Sequence, residues 1–551
     1  LRSILAFVHL SDLHVTDTQS PARAEFLDRY GDPDSPLAAL VGRVGTYRAQ
    51  EALTYQVLEA MTAAVRAALP AGGPATGAAY ALAVSTGDNT DNCQRNELDA
   101  YLALLDGGSE VVPDSGDRTR YEGVGAPELY DERYWHPGGT PSGAGDDLPR
   151  RERGFPTVPG LLDDCRRPFR AGGLGLPWLA VYGNHDSLLV GTQPPDPGLS
   201  ELAVGAEKPV RLAEGIDPLP LLAGTETAPS GASWGMLRAE TVKVSPDPAR
   251  RFVAAGEWIA AHLDSPGQPH GHGFSSGSAA AGRAHYGYDA GLVRLLVLDT
   301  VNREGGWQGS IGEEQLAWLE SELVAGHSRH LDAAGEEVET GNADRLFVLF
   351  AHHSLETMIN PYSARGERRL LGDDLLALLV RFRNVVAFVN GHTHIHAVRA
   401  VPAARSGATN AGASASASAS AGADPGSGTG GTGVRGGFWQ VTTGSHIDWP
   451  QQARLIELAL DEESGDVLVV TELLDHAGLV DPRQGGPGEP ATIAGWSREL
   501  AANAWQGRSL PEEPWGRGGP ADRNGVLVWP APFDVRAALE RAGHAGGSVG
   551  G

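Results

Sequence analysis

Apolar, β-branched runs along the chain end, one after another, in short segments rich in carboxylates and imidazoles. Ile4 to Leu10 leads into Asp12, Ala79 to Ser85 into Asp88, Pro177 to Tyr182 into Asn184, Arg345 to Phe350 into His352, and Val385 to Val389 into His392. Runs of this length and composition predict buried strands. Val293 to Leu298 and Phe438 to Thr442 predict two further strands without such endings. Arg454 to Leu460 and Val467 to Leu473 predict a hairpin that turns at Ser464-Gly465-Asp466. Helical spacing appears between them. Glu51 to Leu69 carries Leu53, Val57, Leu58, Met61 and Val65 and is stopped by Pro70 and Gly72. Glu313 to Val324 puts Leu316, Leu319 and Leu323 on one face, with Ser310 as a candidate cap, and Asp373 to Phe382 predicts a short apolar helix. Strands alternating with helices predict an α/β layered fold. Ligand-type residues at strand ends fit the rule that such sheets bind at their carboxyl edge.

The pattern breaks in places, and the breaks outline the domain organisation. Residues 1–475 read as one domain with insertions at about 93–175 and 187–290. Both are rich in Gly and Pro with little periodicity, and both are expected to wrap the core as caps or long loops. Within the first, Tyr121 and Tyr134-Trp135-His136 suit either a substrate wall or the mini-core of a cap. The stretch from about 403 to 436 alternates Ser and Ala and then turns Gly-rich, a composition that cannot bury a core and predicts disorder. Residues 476–551 are expected to pack on the core as a C-terminal extension. Cys93 and Cys165 cannot form a zinc cluster alone, and two readings stand, one disulfide or two separate buried thiols.

Charge narrows the function. The 551 residues carry a formal net charge of -26. That argues against a nucleic-acid surface, which needs clustered Lys and Arg, and against a polybasic membrane anchor. No run approaches the roughly 18 apolar residues of a membrane span. No signal peptide is visible ahead of the first predicted strand, which starts almost at Leu1. A small anionic substrate remains compatible, because bound metals can supply the local positive charge.

Metal chemistry is what the polar segments suggest. Asp12-Leu13-His14 and Gly391-His392-Thr393-His394 each hold a pair of potential ligands two residues apart. On a strand that spacing turns both side chains to one face, so one ion could take both. Asp88 follows Gly87, which lets the backbone come close, and its carboxylate could bridge two cations. Asn184 offers a neutral amide oxygen, and Ala351-His352-His353 offers imidazole. Two divalent ions about 3.5–4 Å apart can share a water, lower its pKa and hold phosphoryl oxygens, which is what phosphate-ester hydrolysis requires. A mixed N/O donor set suits Mn, Fe, Zn or Co better than Ca or Mg.

In order and content, the segments ending in His14, Asn89, Asp186, His353 and His394 resemble the motifs of the calcineurin-like metallophosphoesterase superfamily. The recognisable motifs and core cover about half the chain. The resemblance implies a four-layer αββα sandwich carrying cap-like insertions, and two divalent or trivalent transition-metal ions. It implies that Asp12, His14, Asp88 and His394 hold one ion, and that Asp88, Asn184, His352 and His392 hold the other. His185 would protonate the leaving oxygen or bind the phosphoryl group, and Asp186 would orient His185. Ser310 to Leu323 is similar to the helix before the fourth motif of that superfamily. Phe438 to Leu458 resembles an actinobacterial group with long inserts, many with a twin-arginine export signal, so export is implied by that likeness alone.

Two departures refine the resemblance. Asp91 stands where purple acid phosphatases place a metal-binding tyrosine, and their first motif lacks the counterpart of His14, so the likeness is to the non-purple branch. Ser354 stands where many relatives have Pro, which bears on whether His352 or His353 is the ligand, and alignment favours His352. His396 reads as a rim or surface histidine, and His446 either lines the site or packs structurally. The expected activity is dinuclear hydrolysis of small phosphate esters by a metal-activated hydroxide, with a lean to phosphodiesters. The alternatives are a phosphomonoesterase, a nuclease that the acidic balance disfavours, and a non-catalytic metal-dependent binding protein on the same scaffold.

Overall fold

Twelve strands fall into two six-stranded mixed sheets. They are β1 (Arg2–Leu10), β2 (Leu82–Thr86), β3 (Trp178–Val181), β4 (Tyr286–Ala290), β5 (Val293–Val297), β6 (Leu346–Phe350), β7 (Val385–Asn390), β8 (Ala397–Val401), β9 (Phe438–Thr442), β10 (Gln452–Leu460), β11 (Val467–Asp475) and β12 (Gly525–Trp529). The principal helices are α1 (Thr54–Ala68), α2 (Arg95–Asp106), α3 (Ala255–Asp264), α4 (Glu313–Ala325), α5 (Gly372–Leu379) and α6 (Pro490–Asn503). This computed structural model describes residues 1–32, 35–41, 47–222, 227–229, 238–402, 437–504 and 516–546. The low-complexity stretch at 403–436, read above as a dispensable disordered loop, lies outside the described residues.

The first sheet has the order β12-β11-β10-β1-β2-β3, with β1, β2 and β3 parallel and the remaining pairs antiparallel. The second has the order β8-β9-β7-β6-β5-β4, parallel from β9 to β5, with antiparallel strands at both edges. One core joins the sheets. Phe7 of β1 meets Phe350 of β6 edge to face, with centroids 5.5 Å apart. Leu295, Val297, Val348 and Val389 share that core with Val8 and Val84. The intervening residues Leu296, Phe347, Leu349 and Phe388 point the other way, onto Leu319 and Leu323 of α4 and Leu375 and Leu379 of α5. An apolar residue at every position is what a sheet buried on both faces requires. Leu58, Met61 and Val65 of α1 join the main core, and Val57 and Ala60 on another side of α1 meet Ala494 of α6.

The apolar runs sit within a few residues of the observed strands. Three of the elements inside the stretches read as irregular belong to the main core and its sheets. Helix α2 gives Leu98, Tyr101, Leu104 and Leu105 to the main core, so the core extends past residue 93. Its start carries no Ser, Thr, Asp or Asn signal; instead the buried Glu97 carboxylate accepts from the backbone of Asp17 and Asn92, both at 2.8 Å. Helix α3 places Trp258 and Ile259 in the same core, and the Gly-containing β4 forms the edge of the second sheet. Gly312, not Ser310, caps α4, and Ser310 Oγ accepts from Arg369 Nε at 3.0 Å.

Packing accounts for Tyr134 and Trp135 of the first insertion. Trp135 is buried with Leu53, Phe155 and Leu161 against Ile493 and Trp496 of α6, and Tyr134 stacks edge to face on Tyr47. The C-terminal residues thus supply α6 and also β12, the outer strand of the first sheet. Cys93 and Cys165 are both buried free thiols, which answers the disulfide reading in the negative. Among the described residues no helix is long and apolar enough to cross a membrane.

Candidate metal centre

Each candidate ligand follows the carboxyl end of a parallel strand: Asp12 and His14 after β1, Asp88 after β2, Asn184 after β3, His352 after β6, His392 and His394 after β7. The expectation that strand alternation pairs Asp12 with His14, and His392 with His394, is corrected by the backbone. β1 ends at Leu10 and β7 at Asn390, and the ligands lie on loops beyond. Asp12, His14, Asp88, His392 and His394 have φ of 51°, 45°, 49°, 69° and 58°. Such left-handed values are uncommon outside glycine, and they persist where surrounding structure holds them. Here the loops hold one another: Asp12 N–H donates to Gly87 O at 3.1 Å and His14 N–H to Asp88 O at 2.9 Å. The approach is close enough that a Cβ at Gly391 would collide with Ser11 Oγ and Asp12 Oδ2.

Asp88 is central. Its Oδ2 lies 3.1 Å from His352 Nε2 and 3.8 Å from His14 Nε2. On one side, His14 Nε2 is 3.2 Å from His394 Nε2, which is 3.3 Å from Asp12 Oδ1. On the other, His392 Nδ1 is 3.1 Å from His352 Nε2. Asn184 donates through Nδ2 to Gly191 O at 3.1 Å, and its buried Oδ1 has no hydrogen-bond partner. An orphaned buried polar atom costs about 1–3 kcal/mol unless something takes it. That orphan, the facing imidazole nitrogens and the carboxylates among them are groups that could hold metal ions. Asp12, His14 and His394 offer atoms within 4.8 Å of one another, as do Asp12, Asp88 and His352.

The outward nitrogens explain why the inward ones are free. His14 Nδ1 bonds Asp91 Oδ1 at 2.9 Å, His394 Nδ1 bonds Asp448 Oδ2 at 2.7 Å, and His352 Nδ1 bonds Thr86 O at 2.8 Å. Donation from each Nδ1–H leaves a bare Nε2 facing inward, the usual service of an outer partner to a ligating imidazole. Sequence reasoning missed Asp91 and Asp448 in this role, and no local spacing signals either. Burial pushes the Asp91 carboxyl up, but the Arg23 guanidinium and the bonds from His14 and His185 outweigh it and hold it well below the usual range.

His185 reaches the same centre. Its Nδ1 bonds Asp91 O at 2.8 Å and lies 3.3 Å from Asp91 Oδ1, and its Nε2 is 4.0 Å from Asp88 Oδ2. Burial pulls this imidazole down, but the Asp88 and Asp91 carboxylates outweigh it and raise it above the ordinary value. Asp186 does not touch it. The Asp186 carboxylate accepts from the backbone of Gly183 at 2.9 Å, Asn89 at 3.1 Å and Thr90 at 3.0 Å. It ties the Asp88 loop to the Asn184 loop, and the orienting role expected of it falls to Asp91.

The remaining histidines sort by their partners. Both nitrogens of His353 are engaged, Nδ1 with Thr300 Oγ1 at 2.8 Å and Nε2 with Trp307 O at 3.1 Å, so the geometry favours His352 as the ligand. His396, expected at a rim or surface, is fully buried and accepts from Gly444 N–H at 3.0 Å. His446 bonds Ser11 O through Nδ1 at 2.8 Å, and its N–H donates to Asp12 O at 3.0 Å, so it secures the backbone beneath the site. Beside His392, the indole of Trp307 lies with its ring centroid 5.7 Å away and is 36% exposed. Comparison with known proteins assigns no family: no family model matches the chain, and no curated protein matches it significantly.

Proposed function

We propose that this protein is a dinuclear metallohydrolase of phosphate esters, with the two sheets and their covering helices forming the four-layer αββα sandwich of calcineurin-like metallophosphoesterases. The observation that carries the reading is Asp88 Oδ2, flanked by His352 at 3.1 Å and His14 at 3.8 Å, with the second nitrogen of each imidazole tied outward. Asp12, His14 and His394 would hold one ion, Asn184, His352 and His392 the other, and Asp88 would serve both. A pair of such ions, when bound, supplies a Lewis acid and an acidified water at neutral pH.

This chain's own residues do the rest. Asp91 O anchors His185 Nδ1, which leaves Nε2 facing the centre. An imidazole anchored in this way can carry a proton at Nε2 to the departing oxygen. The exposed Trp307 beside His392 offers an apolar wall for a second ester substituent, which favours diesters over monoesters. The test is turnover of bis-p-nitrophenyl phosphate against p-nitrophenyl phosphate with added Mn²⁺. The diester is expected to turn over faster. Turnover of neither compound would reject the enzyme and leave a metal-dependent binding protein.

A further inference from the structure

Behind Asp12 a line of buried polar side chains runs away from the candidate centre to β10. Ser11 Oγ donates to Asp12 Oδ2 at 2.5 Å. Thr86 Oγ1 is 2.8 Å from Ser11 Oγ, and His9 Nε2 is 2.8 Å from Thr86 Oγ1. Thr443 Oγ1 is 2.6 Å from His9 Nδ1, and Arg454 Nε is 3.4 Å from Thr443 Oγ1. All six residues are at most 1% exposed.

The two ends, with a neutral His9 between them, order the protons of the line. A guanidinium only donates, and an ionised carboxylate only accepts. Ser11 gives its one proton to Asp12, so it accepts from Thr86. Thr86 Oγ1 also lies 3.4 Å from Leu10 O, but the contact to Ser11 is much the shorter. Having donated to Ser11, Thr86 must accept from His9 Nε2–H. Burial, with Arg454 nearby, holds His9 neutral, so Nδ1 is bare and accepts from Thr443, which in turn accepts from Arg454. Arg454 bonds neutral acceptors, among them Thr471 Oγ1 at 2.7 Å, Asp522 O at 2.8 Å and Arg523 O at 2.6 Å. A buried cation so placed gains from dipoles aligned toward a negative charge, and bonds aligned head to tail strengthen one another.

We infer that Arg454, Thr443, His9, Thr86 and Ser11 form a proton-ordered relay that occupies Asp12 Oδ2, while Oδ1, which shares a bond from His392 N–H, faces the ion shared with His14 and His394. The role in ion binding rests on the dinuclear reading; the proton order rests on the hydrogen bonds, an ionised Asp12 and a neutral His9. The five are positioning residues.

Two measurements test the relay. In ¹⁵N-histidine-labelled protein, with the His9 signals assigned by their loss in His9→Gln, nitrogen shifts are expected to report the Nε2–H tautomer. The Nδ1–H tautomer or an imidazolium would overturn the proton order. By calorimetry with Mn²⁺, Thr443→Val, which keeps the shape and removes the donor, is expected to weaken one of two sites roughly 10- to 100-fold and spare the other. Thr443→Ser should restore it. Equal Mn²⁺ binding by Thr443→Val and the unaltered protein would overturn the ion-binding role. If Thr443→Val does not fold, Thr86→Val carries the same comparison against Thr86→Ser. No Mn²⁺ binding by the unaltered protein would overturn the dinuclear reading and the relay's role in it, whatever the His9 tautomer.

Discussion

Arg23 Nη1 donates to Asp91 Oδ2 at 2.5 Å, and both side chains are buried. The other Asp91 oxygen faces His14 and His185, so the guanidinium sits one residue behind two imidazoles of the centre. Arg23 also meets Glu51 at 2.8 Å and Glu25 at 3.1 Å, and Lys208, from the second insertion, reaches Glu25 at 3.2 Å. The insertion is therefore joined to the site by buried charges.

Removing Arg23 would strand those carboxylates. Arg23→Met is expected to lower stability by about 3–5 kcal/mol, the usual cost of breaking a buried ion pair from one side. Urea unfolding measures it. Asp91→Ala is expected to weaken metal binding roughly 10- to 100-fold through His14, read by metal analysis after dialysis.

In the proposed centre Asp88 belongs to both ligand sets, so Asp88→Ala should lose both ions together with activity. Metal content of the purified variant checks this. Two ions still bound would show that Asp88 bridges nothing.

His185 has a different part. His185→Ala should keep both ions and lose roughly 10²–10⁴-fold in rate if the imidazole is a general acid. The loss should shrink for esters with good leaving groups, which need little protonation. A loss independent of leaving group would assign His185 to phosphoryl binding.

A pH effect on stability follows from His327, far from the ligands in sequence. Its Nδ1 bonds Leu323 O at 2.6 Å and its Nε2 accepts from Asn384 N–H at 3.0 Å, so it folds neutral. Burial, more than any neighbour, pushes it down to about 4. The folded value is below the unfolded one of about 6.5. Its stabilising contribution is therefore full above pH 6.5 and falls away as the pH drops toward 4. Urea midpoints of the unaltered protein should fall more steeply across that window than those of His327→Gln.

Much of the candidate site was legible because its ligands are neighbours in sequence of the strands that carry them. Apolar runs ending in Asp12, Asp88, Asn184, His352 and His392 identify the strands, and parallel pairing brings their carboxyl ends to one edge. What the motifs do not encode is how the loops turn. Asp12, His14, Asp88, His392 and His394 meet through left-handed backbone, not strand alternation, and loop contacts made after folding hold that conformation. Nor do they encode partners. Asp91 is 77 residues from His14 and Asp448 is 54 from His394, and only packing decides which acceptor a ring nitrogen finds. The same holds for Asp186, which adjoins His185 in sequence but turns to three backbone N–H groups, and for His396, whose polar neighbours conceal full burial. Residue type and local spacing determined which atoms could bind a metal. The tertiary structure decided which of them face one another, because buried hydrogen-bond donors and acceptors are matched across space and not along the chain.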